Sequence, residues 1–261
     1  KIKLNSSNTI LIVENNNNFI NNLSKKIKIP IIEHKRYIGG RYSVLSEVGM
    51  IPAHLMGLKL RNFRKNLLDY FKSKKKKLLA DSVSKISEIY LSKKINSIVF
   101  LSYSPQLSEF AYWCQQLIGE SLGKKGRGLM PIVSVGPKDH HSLLQLYLDG
   151  PRDKVFCILS AKNPYNFKIG ENYLNEKFKF LKNKKLDNII SSQKNAFVET
   201  LKRKNIPFRE IHINSFSEET IGELFSYFML ETAMIAKLIN VNPFNQPSVD
   251  EVKILTKKYL S

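Results

Sequence analysis

The stretch Asn96-Ser97-Ile98-Val99-Phe100-Leu101 decides the fold, because it is a short apolar run that leads into a helically spaced segment, Leu107–Ile118. A run of this length and composition predicts a β-strand. Two further apolar runs follow, Met130–Val135 and Val155–Leu159, and Leu143–Leu148 has helical spacing between them. Strand, helix, strand and helix in this order predict an α/β unit built on a parallel sheet.

A second unit of the same kind is predicted upstream. Thr9–Val13 has the composition of a buried strand, Phe19–Ile27 that of an amphipathic helix, and Pro30–Ile32 that of a short strand. This βαβ pattern again predicts parallel strands. The remaining predictions are helices at Leu45–Leu58 and Leu58–Lys94 with a break near Asp81-Ser82, a polar loop at Ala161–Glu171, one or two helices within Tyr173–Lys204, a strand at Pro207–Ile213, an apolar helix from Ser217 to about Ile239, and a loop at Asn242–Pro247 before a final helix.

Composition bounds the class of protein. The 261 residues carry a formal net charge of +20, but the lysines are spread over surface-type positions in a chain rich in asparagine, so we expect no nucleic-acid partner. Lys74–Lys77 is expected to be a solvated helix face. No apolar run is long enough for a membrane span, so no membrane partner is expected. Cys114 and Cys157 lie in apolar contexts, which predicts buried free thiols and a reducing, cytoplasmic location.

Three short segments could carry chemistry. Four of the 12 glycines fall within Gly119–Gly128, where Glu120 ends the apolar helix among basic residues. This pattern fits an anion site with a carboxylate proton shuttle, or a glycine-capped helix end with a solvated turn. Ile38–Ser46 carries two glycines before an arginine, either to direct a guanidinium at a ligand or as a tight turn. His140-His141 could supply a general acid or be a surface pair, whereas His34, His54 and His212 are expected to be packing or surface residues.

Taken together, these segments resemble the phosphoglucose isomerase (glucose-6-phosphate isomerase) family, in the branch found in bacteria. Four segments in family order carry the resemblance. They are Ile38–Ser46, Glu120–Lys124, Asp139–Ser142 continuing through Gln145–Asp153, and Asn242–Pro247 continuing to Lys253. The resemblance covers nearly the whole chain, from about Ile10 to Lys253.

The resemblance implies an aldose–ketose isomerase of glycolysis and gluconeogenesis that interconverts glucose 6-phosphate and fructose 6-phosphate through an enediol. It assigns the following roles by analogy: Glu120 as the base, Arg41 as the stabiliser of enediolate charge, His141 (rather than His140) and Lys253 in ring opening, and Gly39, Gly40 and Gln246 in substrate binding. Neither a cofactor nor a metal is implied. In the family the histidine comes from the partner subunit, so a homodimer is expected.

The same resemblance implies SIS-type doubly wound parallel sheets in three α/β/α layers, with a C-terminal helix completing the active site. Residues 1–80 would be the C-terminal part of a first SIS domain, 81–215 a second, and 216–261 a helical segment. The family's phosphate-gripping loop is expected before Thr9, and Ser6-Ser7-Asn8-Thr9 lacks the following helix, so the chain is expected to correspond to the C-terminal two-thirds of the enzyme. Two alternatives remain: a sugar-phosphate-binding module of this fold without turnover, and a basic polyanion-binding protein.

Overall fold

The computed structural model describes residues 3–162, 167–170 and 174–261. They fall into two compact units. The first comprises the described residues up to Leu79 together with Ser217–Leu230, and the second comprises those from Ala80 to Phe216 together with Glu231–Ser261. None of the helices in these ranges has the length and apolar character that a membrane crossing requires.

The first unit is built on a parallel pair of strands. Its elements are β1 (Leu11–Glu14), α1 (Phe19–Ile27), β2 (Ile31–His34), a 3-10 helix at Gly40–Leu45, α2 (Glu47–Leu55), α3 (Leu60–Phe63), a 3-10 helix at Asp69–Phe71, and the first parts of α4 (Ser73–Ser92) and α8 (Glu218–Leu238). β1 and β2 pair in register from Leu11↔Ile31 to Glu14↔His34. The βαβ prediction is confirmed, and α1 has the predicted bounds because Asn18 caps it, accepting a hydrogen bond from the Asn21 backbone N–H at 2.8 Å.

The predicted helical segment Leu58–Lys94 is interrupted, but the predicted position of the break is wrong. The chain breaks between α3 and α4, while α4 continues past Asp81-Ser82. In the break, Tyr70 is buried, and its hydroxyl donates to Glu223 Oε1 at 2.9 Å. A contact from a residue far away in the sequence therefore holds this turn, so local helical spacing could not reveal it.

The second unit contains a four-stranded parallel sheet in the order β4-β3-β5-β6. Its strands are β3 (Ser97–Ser102), β4 (Met130–Val135), β5 (Lys154–Ala161) and β6 (Phe208–Ile213); its helices are α5 (Ser108–Leu122), α6 (His140–Asp149), α7 (Leu186–Arg203), α9 (Pro247–Leu260) and the later parts of α4 and α8. All four predicted strands are confirmed. Parallel sheets flanked by helices also confirm the α/β fold class.

The core of the second unit forms where β3 and β5 meet α7. Val99, Leu101, Phe156 and Ile158 pack with side chains of α7, among them Phe197. The two cysteines are free and buried, as predicted, and burial raises the pKa of both thiols. The predicted polar loop Ala161–Glu171 and the start of the segment Tyr173–Lys204 lie partly outside the described residues.

Candidate functional site

Glu120, the residue expected to act as the base, lies in the last turn of α5. It is half-buried, and its Oε1 accepts a hydrogen bond from Gln116 Nε2 at 3.0 Å. A carboxylate at the C-terminal end of a helix faces the negative end of the helix dipole, which is unfavourable for the helix. Helix stability therefore does not explain a glutamate at this position.

The residues after α5 form a tight turn. Lys124 and Arg127 exchange two backbone hydrogen bonds, at 3.1 and 2.9 Å. The two central residues both have positive φ, 54° at Lys125 and 68° at Gly126, as a type I′ turn requires. The positive φ that this turn requires accounts for glycine at position 126.

Packing accounts for two further glycines. The backbone N–H of Gly123 caps α5 by donating to Gly119 O at 3.1 Å, and a Cβ at Gly123 would lie only 2.7 Å from that oxygen. Gly128 has φ 124°, and a Cβ there would lie 2.9 Å from Gly123 Cα. The capped helix end considered as the simpler alternative is thus part of the structure.

Basic side chains tie this turn to the loop after α8. Lys124 Nζ donates to Ser121 O at 3.0 Å and to Asn242 O at 2.6 Å. Arg127 Nη1 donates to Ile239 O. The two cations thus satisfy carbonyl groups that helix ends and loops leave without intrahelical partners. They hold the segment after Glu120 against the segment that leads to Gln246.

These two segments are the walls of a cleft of about 590 Å³ in the second unit. One wall is residues 123–127, and the other is formed by residues of the stretch 241–248. Gln246, on the second wall's segment, is half-buried and is the N-cap residue of α9. Lys253 is exposed on α9, with its Nζ 3.7 Å from Asp250 Oδ1.

The two adjacent histidines at the start of α6 have different surroundings. His140 Nε2 lies 2.5 Å from the Tyr103 hydroxyl, and its ring packs on Tyr103 and Phe197. Burial lowers the pKa of His140. The side chain of His141 is exposed. The His140 ring therefore packs against core side chains, whereas the His141 side chain is exposed to solvent.

In the first unit, Arg41 is buried, 3% exposed, within the 3-10 helix. Its guanidinium lies 5.4 Å from the centre of the Tyr42 ring. A Cβ at Gly39 or Gly40 would have no heavy atom within 4 Å among the described residues. Neither glycine has positive φ. Backbone conformation and packing therefore leave glycine unexplained at both positions, in contrast to Gly128.

Sequence reasoning missed the role of His34 in this segment. Its Nδ1 lies 2.6 Å from Glu47 Oε1 and its Nε2 lies 2.9 Å from Ile38 O. Glu47 also accepts a hydrogen bond from the Lys35 backbone N–H at 3.4 Å. His34 and Glu47 thereby fasten both ends of the loop that leads to Gly39. No local sequence signal marks this pair, because 13 residues separate its members.

Within the second unit, the turn that follows Glu120 and the loop that contains Gln246 line one cleft, but neither Glu120 nor Gln246 is itself among the lining residues. Gly39, Gly40 and Arg41 are consecutive in the first unit. The convergence of Arg41, Glu120 and Lys253 on a single site stays a prediction.

Comparison with known proteins identifies relatives over most of the chain. The glucose-6-phosphate isomerase of Mycoplasmopsis synoviae is 36% identical over 83% of this chain, which spans 52% of that protein. The glucose-6-phosphate isomerase of Methanocaldococcus jannaschii is 30% identical over 96% of this chain, which spans 63% of that protein. The chain is homologous to the glucose-6-phosphate isomerases. No family model matches it.

Solved structures agree on the fold of this isomerase homologue. The hypothetical protein TT0462 of Thermus thermophilus matches with a TM-score of 0.87 and 26% identity, covering 97% of this chain and 62% of that one. A glucose-6-phosphate isomerase of Chlamydia trachomatis matches with a TM-score of 0.80 and 16% identity, covering 98% of this chain and 53% of that one. At 16% identity, the similarity to the Chlamydia trachomatis structure shows the fold alone. The homologue therefore spans between half and two-thirds of the length of each of these proteins.

Proposed function

We propose that this chain contributes to an aldose–ketose isomerase that interconverts glucose 6-phosphate and fructose 6-phosphate. Relatives that carry the name of this enzyme support the proposal. The structural observation that carries it is the cleft on which Lys124 holds the segment after Glu120 against the loop leading to Gln246. An isomerase needs a carboxylate base close to groups that can bind a sugar, and we propose that Glu120 and Gln246, which lie close to the lining residues in sequence, supply them.

The proposed reaction moves protons and needs no external oxidant or reductant. The Glu120 carboxylate removes the proton from C2 of the open-chain aldose, which gives an enediolate, and returns a proton to C1. A second proton moves from the oxygen on C2 to the oxygen on C1, so the aldehyde becomes an alcohol and C2 becomes a ketone. A positioned carboxylate removes the C2 proton much more effectively than water does.

Arg41 would stabilise the enediolate, because a buried guanidinium interacts strongly with charge that develops nearby. Gly39 and Gly40 would bind substrate through the backbone, and the open space at both Cβ positions supports this role. Gln246, the half-buried residue at the start of α9, would also bind substrate.

Ring opening requires an acid and a base at the ring oxygen and the C1 hydroxyl. We assign it to His141 and Lys253, whose side chains are exposed. The neighbouring His140 is engaged by Tyr103, which favours His141 for this role. We extend the proposal to a homodimer in which His141 serves the partner's site, and to a cytoplasmic location, which the buried thiols of Cys114 and Cys157 support.

Isomerisation in heavy water tests the proposal. The chain is incubated with fructose 6-phosphate in D₂O, and the products are followed by NMR. We expect glucose 6-phosphate carrying deuterium at C2, because an enediol exchanges its proton through a base in contact with solvent. After many turnovers, the absence of deuterium from both C2 of glucose 6-phosphate and C1 of fructose 6-phosphate would contradict the enediol route, and binding without turnover would favour the non-catalytic alternative.

Replacement of Lys124 by methionine tests the tie across the cleft. We expect the free energy of unfolding to fall by about 1 kcal/mol, since a charged donor to two carbonyl groups is lost. Isomerisation should slow by about tenfold or more, because the walls of the cleft would shift relative to each other. Urea unfolding and a coupled assay measure the two effects. Lys125→Met is the matched control, as it removes the same charge one residue away; an equal loss in both variants would show that charge, and not the tie, matters.

A further inference from the structure

A second cavity lies in the second unit, away from the cleft described above. It measures about 220 Å³ and shares no lining residue with that cleft. Its floor is the carboxyl ends of β3, β5 and β6, and one wall is the N-terminal half of α7. The lining is polar, with Ser104, Ser160, Asp187, Lys194 and His212 among its residues.

The cavity begins where the apolar core of this unit ends. On β5, Phe156 and Ile158 pack in the core against α7, and Ser160 follows at the same two-residue spacing. Ser160 is 7% exposed, and its Oγ lies 3.0 Å from His212 Nδ1 on the neighbouring strand. A leucine or valine at 160 would continue the core. A buried hydroxyl here instead departs from the pattern of the strand, as residues of binding sites often do.

The topology of the sheet favours a ligand at this position. The chain leaves β3 towards β4 on one side, and leaves β5 towards β6 on the other. The connections after β3 and β5 therefore diverge, which opens a crevice at the carboxyl ends of these adjacent strands. Crevices at such points are the usual ligand sites of open parallel α/β sheets.

The charges of the lining indicate the class of ligand. Lys194 and Asp187 carry opposite charges, and Lys194 Nζ is already bonded to Glu210 Oε2 at 2.9 Å. Among the described lining residues, positive charge therefore does not exceed negative charge, so they do not offset a phosphate dianion. Hydroxyl, amide and imidazole groups, such as those of Ser191, Asn195 and His212, can donate to and accept from hydroxyl groups.

We propose that this cavity binds a small neutral polyhydroxy molecule, no larger than an unphosphorylated monosaccharide. The site would be separate from the proposed isomerase site, so a substrate and a polyol could be bound at the same time.

The test uses D-glucose, glycerol and inorganic phosphate as probes of the isotopically labelled full chain, observed by NMR. D-Glucose or glycerol is expected to shift the backbone amides of Ser104 and Ser160, and phosphate is not. Ser191→Leu should raise the Kd at least about tenfold by filling the cavity. Ser192→Leu, one residue along the helix and outside the lining, is the matched control and should leave the Kd unchanged.

Ser160→Ala provides a second variant that removes one hydroxyl with little change of shape, and it should also weaken binding. Glu120→Gln should leave these shifts intact, which separates this site from the proposed isomerase site. Shifts confined to residues 120–127 and 241–248, a response to phosphate alone, or no response of Ser104 and Ser160 to either polyol would overturn the proposal.

Discussion

Replacing Glu120 with glutamine is expected to reduce isomerisation by about 10²- to 10⁴-fold, the range that a positioned general base contributes. The amide can still accept the hydrogen bond from Gln116, so the local geometry should persist. Substrate binding should change little, because the loss falls on proton transfer. Steady-state kinetics and deuterium incorporation at C2 measure the effect.

The same substitution should not destabilise the protein. It removes a negative charge from the C-terminal turn of α5, where the helix dipole disfavours it, so the free energy of unfolding should stay the same or rise by up to about 1 kcal/mol. Glu109→Gln is the matched control in the first turn of α5, where the same change should lower stability by a similar amount and leave activity intact. A Glu120→Gln variant that keeps more than about a tenth of the turnover would contradict the assignment.

Local sequence predicted the strands of both units well because each is a short apolar run between turn residues. Met130–Val135 has the predicted bounds, and α1 begins and ends as predicted. In α1 the cap is also local, since Asn18 bonds to a backbone group three residues away. Where the signals of an element lie within its own few residues, sequence reasoning is sufficient.

Sequence reasoning failed where distant residues set the conformation. The break before α4 is held by Tyr70 and Glu223, 153 positions apart. Gly222 of α8 lies so close to α3 that a Cβ there would clash with Phe63 O. The serine of the predicted break, Ser82, instead donates to Glu231 Oε1 at 2.7 Å and stays within α4. None of these three contacts can be read from hydrophobic periodicity.

In the candidate site, too, sequence reasoning identified the features that local residues determine and missed those that distant residues determine. The motifs marked Glu120 and the loop around Gln246 by residue type and order. They could not show that Lys124 joins the two segments, because the carbonyl group that it contacts belongs to Asn242, 118 residues away. The different surroundings of His140 and His141 likewise depend on Tyr103, which no pattern connects with them.

A buried ion pair anchors α8, the helix that leads to the loop at Gln246. Arg209 on β6 donates from Nη1 to Glu231 Oε1 at 2.6 Å and from Nη2 to Oε2 at 2.9 Å. The Glu231 side chain is 2% exposed and that of Arg209 is 17% exposed. Arg209 Nε also lies 3.3 Å from Cys157 Sγ. Both charges are thus removed from water and depend on each other.

Glu231→Leu is therefore expected to lower the free energy of unfolding by about 3–5 kcal/mol, because it leaves the Arg209 guanidinium buried without its carboxylate. Glu199→Leu is the matched control: its partner Arg203 is also an arginine, but the pair is exposed and its loss should cost at most about 1 kcal/mol. Adding Arg209→Met to Glu231→Leu should recover much of the loss, since no uncompensated charge remains. Urea unfolding of the unsubstituted protein, the two single variants and the double variant measures these free energies. An equal loss of stability in Glu231→Leu and Glu199→Leu would mean that the Arg209 charge reaches water once its partner is gone.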